Sequence, residues 1–155
     1  MQPVEYQETD IAGIERIRTL WIQLNRHHQA NARAFQDVYA RWTFDDRKAY
    51  FITVAEQGSL RIDLAFDPEQ GRYAGYCVSS LSKDREGEIE SIYVDETYRS
   101  LGIGTNLLTR ALTWLNNRGS IRNRVSIADG NEDAFPFYRK FGFYPRMTVL
   151  EQLRD

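Results

Sequence analysis

The order of apolar periodicities predicts an α/β (α+β) fold, a mixed, mostly antiparallel central sheet flanked by helices, in one domain spanning residues 1–155. Three observations carry this. Helical spacing dominates the first third of the chain. A meander of three short apolar segments follows, joined by the turn sequences Asp67-Pro-Glu-Gln-Gly71 and Lys83-Asp-Arg-Glu-Gly87. The chain then reads strand, helix, strand, helix, strand. At 155 residues, 42% hydrophobic and 13% aromatic, it can bury one sizeable core.

Element by element, Val4 to Tyr6 reads as a short strand. Thr9 or Asp10 caps a helix running to about Gln29, whose apolar face is Ile11, Ile14, Ile17, Trp21 and Leu24. A second helix, about Ala32 to Trp42, would bury Phe35, Val38 and Trp42. A third opens at Asp45 or Asp46, carries Tyr50, Phe51 and Val54, and stops at Gly58. It either covers part of a site or packs on the surface. Leu60 to Phe66 alternates, with Leu60, Ile62, Leu64 and Phe66 on one face and Arg61 and Asp63 on the other. Arg72 to Leu81 and Glu88 to Val94 complete the meander. A helix from Leu101 to Arg118 ends at Gly119, a strand covers Arg124 to Ala128, and a short helix follows Asn131. Alternation at Met147, Val149, Glu151 and Leu153 predicts a last strand.

A net charge of −2 gives no general attraction to nucleic acid or to an anionic membrane. The single cysteine, Cys77, lies in an apolar run and reads as a small core residue; no intrachain disulfide or cysteine metal site can form. Met1 to Asp10 lacks a signal-peptide core, and no apolar run approaches spanning length, so a cytoplasmic location is expected. His27 and His28 diverge on one helix in a polar setting, and no ligand cluster accompanies them, so no metal is expected. Trp21, Trp42 and Trp114 fall on apolar helix faces and read as packing residues.

Arg99-Ser-Leu-Gly102-Ile-Gly104 is the most informative stretch. It follows the β-branched run Ile89 to Val94 and opens an apolar-periodic helix. The first amides of a helix have no intrahelical acceptor, and glycine lets a phosphate approach the backbone closely. Arg99 can add charge at the rim. Gly104 is followed by Thr105 and Asn106, so the loop is not a Walker A loop, and Leu107 stands where a dinucleotide fingerprint needs a third small residue. By itself the stretch also fits a strand-to-helix turn without a ligand. A second segment, Asn131-Glu-Asp-Ala134-Phe-Pro-Phe137-Tyr138-Arg-Lys-Phe141-Gly142-Phe143, has a local logic of its own. Asn131 suits an N-cap, and Ala134, Phe137, Tyr138 and Phe141 share one helical face. Pro136 is tolerated in a first turn, and Gly142 suits a C′ stop.

Together, Arg-x-x-Gly-x-Gly after a strand and Asn-x-x-Ala-x-x-Phe-Tyr-x-x-x-Gly-Phe after a later one resemble the GNAT superfamily of acyl-CoA-dependent N-acetyltransferases, over about Glu88 to Phe143. The resemblance implies a GNAT-like fold and transfer of the acetyl group of acetyl-CoA to a primary amine, of a small molecule first, by direct attack in a ternary complex. A protein N-terminus or lysine is the alternative acceptor, and a non-catalytic acyl-CoA-binding regulatory domain is the rival from another class. It implies that backbone amides of Ser100, Leu101, Gly102, Ile103, Gly104 and Thr105, with Arg99, hold the pyrophosphate. The edge of Ile92-Tyr93-Val94 would pair with the pantetheine arm, with an amide near Ile92 facing the thioester oxygen. Asn131 would help place the arm, and Tyr138 would hydrogen-bond or protonate the departing thiolate. It also leaves room for a homodimer paired through late strands.

Glu88 and Glu90 alternate with Ile92 and Val94 on one predicted strand face, where a carboxylate is costly without a partner or a wet cleft. Tyr93 would then point the other way, into the core. Freeing an amine of pKa about 10.4 at pH 7 costs roughly 4–5 kcal/mol, so a carboxylate near the site has work to do. Glu90 is the leading candidate to bind and deprotonate the amine, and Glu88 the second; each is otherwise a solvated residue near a strand end.

Overall fold

The computed structural model describes residues 3–154. Five strands form one sheet in the spatial order β1 (Glu5–Thr9), β2 (Gly58–Asp67), β3 (Arg72–Ser82), β4 (Glu86–Val94) and β5 (Arg122–Val125). The first four pair antiparallel, and β5 runs parallel to β4. The β2–β3 hairpin closes where Asp67 Oδ1 accepts the Glu69 and Gln70 amides, 2.9 and 3.2 Å away.

Both faces of the sheet are covered. On one lie a 3-10 stretch (Ile11–Ile17), α1 (Arg18–Asn31), α2 (Gln36–Arg41) and α3 (Phe44–Gln57); on the other lie α4 (Ile103–Asn117) and the short α5 (Phe135–Arg139). Ile14, Ile17, Trp21, Phe44 and Phe51 pack on Ile62, Leu64, Tyr76 and Val78 in the first core. Leu107, Leu108, Ala111 and Leu115 of α4 pack on Cys77, Ile89 and Tyr138 in the second. Because both faces are packed, Asp63 is fully buried instead of facing solvent. Its carboxylate meets Arg61 at 2.9 Å, which also reaches Glu8. Burial holds the Asp63 carboxyl above its ordinary range in spite of that partner.

Several expected boundaries move. Asp10 does cap, accepting the Ala12 amide at 2.9 Å, but it opens the 3-10 stretch rather than an α-helix. Thr43, not Asp45 or Asp46, caps α3, through a reciprocal capping box with Asp46. The helix expected from Ala32 is reduced to α2, because α1 continues to Asn31 and Ala32 is extended behind it. The last sheet strand is Arg122–Val125 rather than Arg124 to Ala128, since pairing begins at once where the Ile121 amide bonds the Arg85 carbonyl. Residues 147–153 form no strand: the alternating side chains are exposed, and alternation without a neighbouring edge cannot hold a strand. No helix of the described residues is long and apolar enough to cross a membrane.

Candidate active site

A bulge and a divergence make the cleft. Val78 pairs with Ser91 and Ser79 with Ile89, so Glu90 is an extra residue in β4. Pairing between β4 and β5 covers only Glu86–Ile89 against Arg122–Val125. Past these residues the two strands separate, leaving the edge of Ile92-Tyr93-Val94 unpaired on that side. A cleft of about 370 Å³ opens there. Its walls come from β4, from Val125 at the end of β5 and residues 126–128 after it, from Asn131 and Tyr138, and from α1, α2 and α3.

The bulge also corrects the predicted face. Glu88 and Glu90 do not share a side with Ile92 and Val94. Ile92 and Val94 pack with the α4 core, whereas Tyr93 packs with the α1–α3 core, the side to which Glu90 turns. Tyr93 is indeed a buried core residue, but on the Glu90 side.

Glu90 is tightly held. Its Oε1 accepts the Tyr50 hydroxyl at 2.9 Å and its Oε2 accepts the Ser80 hydroxyl at 2.6 Å. Its backbone carbonyl accepts from the Arg47 guanidinium at 2.9 Å. Glu88 lies beside it, with Arg124 3.8 Å away on its outer side. Burial, then the hydrogen bond and charge of Glu90, push the Glu88 carboxyl up to about 7. Near neutrality Glu88 therefore stands between its protonated and charged forms, and it can receive a proton from a bound ammonium group.

Tyr138 closes the opposite wall. The residue is buried, its ring set edge-on to Phe137 and Phe143, and among the described residues its hydroxyl has no hydrogen-bond partner. Burial pushes this phenol well above its ordinary range, so it remains a proton donor throughout the neutral range. Asn131 lines the same cleft without capping a helix: its side-chain oxygen lies 3.3 Å from His27 Nε2, which ties α1 to the loop before α5.

The glycine turn lies beyond Val94, outside this cleft. Asp95 caps a short 3-10 turn, Glu96–Tyr98, whose Tyr98 is buried and donates to Asp67 at 2.5 Å. Ser100 and Gly102 adopt left-handed backbone, φ +66° and +79°, which turns the chain sharply into α4. Ile103 anchors that helix start in the core while Ser100, Leu101 and Thr105 are exposed. The amides of Ile103, Gly104 and Thr105 open the helix and lack intrahelical acceptors. Arg99 folds back: its Nε donates to the Val94 carbonyl at 3.2 Å and its guanidinium lies over the Tyr93 ring.

Of the two readings of α3, the one that puts it over the site fits, since Arg47 and Tyr50 line the cleft; Arg47 itself was not singled out. Arg47 and Tyr50 sit one helical turn apart, flanking the buried stripe of Phe44 and Phe51, and that spacing was the available signal. His28 is half-buried and lines the cleft rather than the surface; burial, then His27 and Arg47, lower it to about 4, and its Nδ1 is buried without a partner. Trp42 is only partly packed, against Tyr39: it is 49% exposed and lines the cleft mouth. Ser80 has no sequence signal apart from its register beside Glu88.

A family model described as the acetyltransferase (GNAT) family matches residues 14–143. Over 77 residues the chain is 32% identical to an uncharacterized N-acetyltransferase of Methanocaldococcus jannaschii, covering 50% of this chain and 34% of that protein. Over 130 residues it is 28% identical to a mycothiol acetyltransferase of Thermomonospora curvata, covering 83% of this chain and 41% of that one. The chain thus spans well under half the length of either relative. An aminoglycoside N-acetyltransferase solved with a CoA-linked bisubstrate analogue shares the fold, with a TM-score of 0.71, 15% identity and 99% of each chain covered.

Proposed function

As the chain belongs to the GNAT acetyltransferase family, we propose that it transfers the acetyl group of acetyl-CoA to a primary amine of a small molecule by direct attack in a ternary complex. One observation carries this: β4 and β5 part at a bulge that sets a carboxyl pair on one wall and an unpartnered tyrosine hydroxyl on the other.

The amides at the start of α4, with the left-handed turn at Gly102, suit the pyrophosphate. The free edge of Ile92–Val94 suits the amide-bearing pantetheine arm, paired as an added strand would be. An amide near Ile92 then faces the thioester oxygen as it gains charge. Glu90, fixed by Tyr50 and Ser80, orients the ammonium group, and Glu88 accepts its proton. The freed amine forms the bond to the acetyl carbon, and the carbon–sulfur bond breaks. The departing thiolate takes a proton from Tyr138, which the second proton lost by the nitrogen replaces through solvent. One amide, one thiol and one released proton result.

The test is thermal unfolding with acetyl-CoA, with NAD and ATP as controls, followed by thiol release across an amine panel. A ligand that binds only the folded state stabilises it by about 2.7 kcal/mol at a hundredfold excess over Kd. Stabilisation by acetyl-CoA alone with amine-dependent thiol release is expected; no stabilisation of folded protein would remove the proposal.

A further inference from the structure

Resting on that function, the geometry points to an arylalkylamine as the acceptor: one ammonium group on a short arm attached to a flat, apolar body. The cleft beside the carboxyl pair is walled by Trp21, Leu24, Tyr39, Trp42 and Tyr50. Tyr39 and Trp42 meet edge-on at 5.4 Å, and Trp42 keeps about half of its surface uncovered. A tryptophan left open at the mouth of a cleft offers a flat face for a ring to stack on.

Charge decides against the other amine classes. Among the described residues lining the cleft, Glu88 and Glu90 are the only acids, and they sit together. They make one anchor for one cation. A linear polyamine, or an aminosugar carrying several ammonium groups, needs a second anionic anchor further along. Beside the pair the cleft offers Arg47, whose charge opposes a second cation, a histidine kept neutral by burial, and the uncharged Asn25, Ser91, Ser126 and Asn131. A volume of about 370 Å³, which must also admit the thioester end of the donor, has room for one or two fused rings.

The experiment uses the full chain with acetyl-CoA and four acceptors, tryptamine, phenethylamine, spermidine and neamine, in wild type, Trp42→Ala and Trp42→Phe. Trp42 is exposed at the end of α2, so both variants should fold, and acetyl-CoA should raise their Tm as in wild type. The two aryl amines should show the highest kcat/KM. Trp42→Ala should raise their KM about three- to tenfold, as loss of a ring contact does, with kcat little changed and Trp42→Phe restoring most of it. Higher kcat/KM for spermidine or neamine, or KM values for the aryl amines indifferent to Trp42→Ala, would overturn the arylalkylamine assignment while leaving acetyl transfer intact. No thiol release with any amine would overturn both.

Discussion

Replacing Glu88 by glutamine isolates the proton that its raised carboxyl holds. The Glu88 carboxyl is raised from 4.5 to about 7 in the folded protein, so between these values the folded state binds more protons than the unfolded one. Stability from this group is therefore complete below pH 4.5 and is lost as pH rises through about 7. The full shift corresponds to about 3 kcal/mol at 1.36 kcal/mol per unit. The side chain is 27% exposed and Arg124 stands 3.8 Å away, so screening brings the expected cost nearer ~1–2 kcal/mol. Glutamine mimics the protonated acid. Glu88→Gln should thus match wild type at pH 4.5 and exceed it at pH 8, by roughly 2–4 °C in Tm for each kcal/mol. Urea unfolding at the two pH values measures this directly. Glu90→Gln, run beside it, removes the like charge but not the burial. Since burial is the largest cause, the pH dependence should shrink without vanishing. Under saturating substrates, wild-type kcat should rise with pH to a plateau above about 7, and Glu88→Gln should lose that limb. A stability difference that is the same at pH 4.5 and 8, or a kcat profile unaltered in the variant, would refute a raised, proton-accepting Glu88.

Tyr138→Phe keeps the ring and its packing and removes only the hydroxyl. The variant should fold and bind acetyl-CoA normally while kcat falls about 10²-fold or more, the scale of a lost proton donor; unchanged kcat in a thiol-release assay would take Tyr138 out of the chemistry. The two glycines of the turn should respond oppositely. Gly102→Ala forces a side chain into left-handed backbone at φ +79° and should cost ~1–2 kcal/mol by urea unfolding. Gly104→Ala places a Cβ at ordinary contact distance from Phe137 and Val94 and gains helix propensity, so it should be neutral or slightly stabilising.

The glycine turn and the Ala134–Phe143 face were legible because local rules fix them, whereas the side-chain cap expected at Asn131 is replaced by its contact with His27. A left-handed residue before a helix start calls for Gly102, and the positive φ of Gly142 ends α5 as its position predicts. The meander was legible for the same reason, since turn chemistry and alternation both act over a few residues. The bulge at Glu90 was not. Strict period two puts Glu88, Glu90, Ile92 and Val94 on one face, and only the pairing with β3 inserts the extra residue that separates them. Misplacing that single residue reverses the side on which Tyr93, Ile92 and Val94 lie.

The acceptor wall was illegible for a different reason. It is assembled from α1, α2, α3 and β4, with Tyr50 and Glu90 hydrogen-bonded across 40 positions of sequence. Helical periodicity marks Trp21 and Trp42 alike as apolar positions. In the fold Trp21 is buried against Phe44, whereas Trp42 stands at the mouth of the cleft. What separates them is the end of α2: Trp42 is its extended C-cap, one residue before Thr43 caps α3. A helix two residues longer would take in both Trp42 and Thr43, the residue that caps α3. The placement of this ring therefore depends on where two helices stop and start, and α2 falls short of the length that apolar spacing alone predicts.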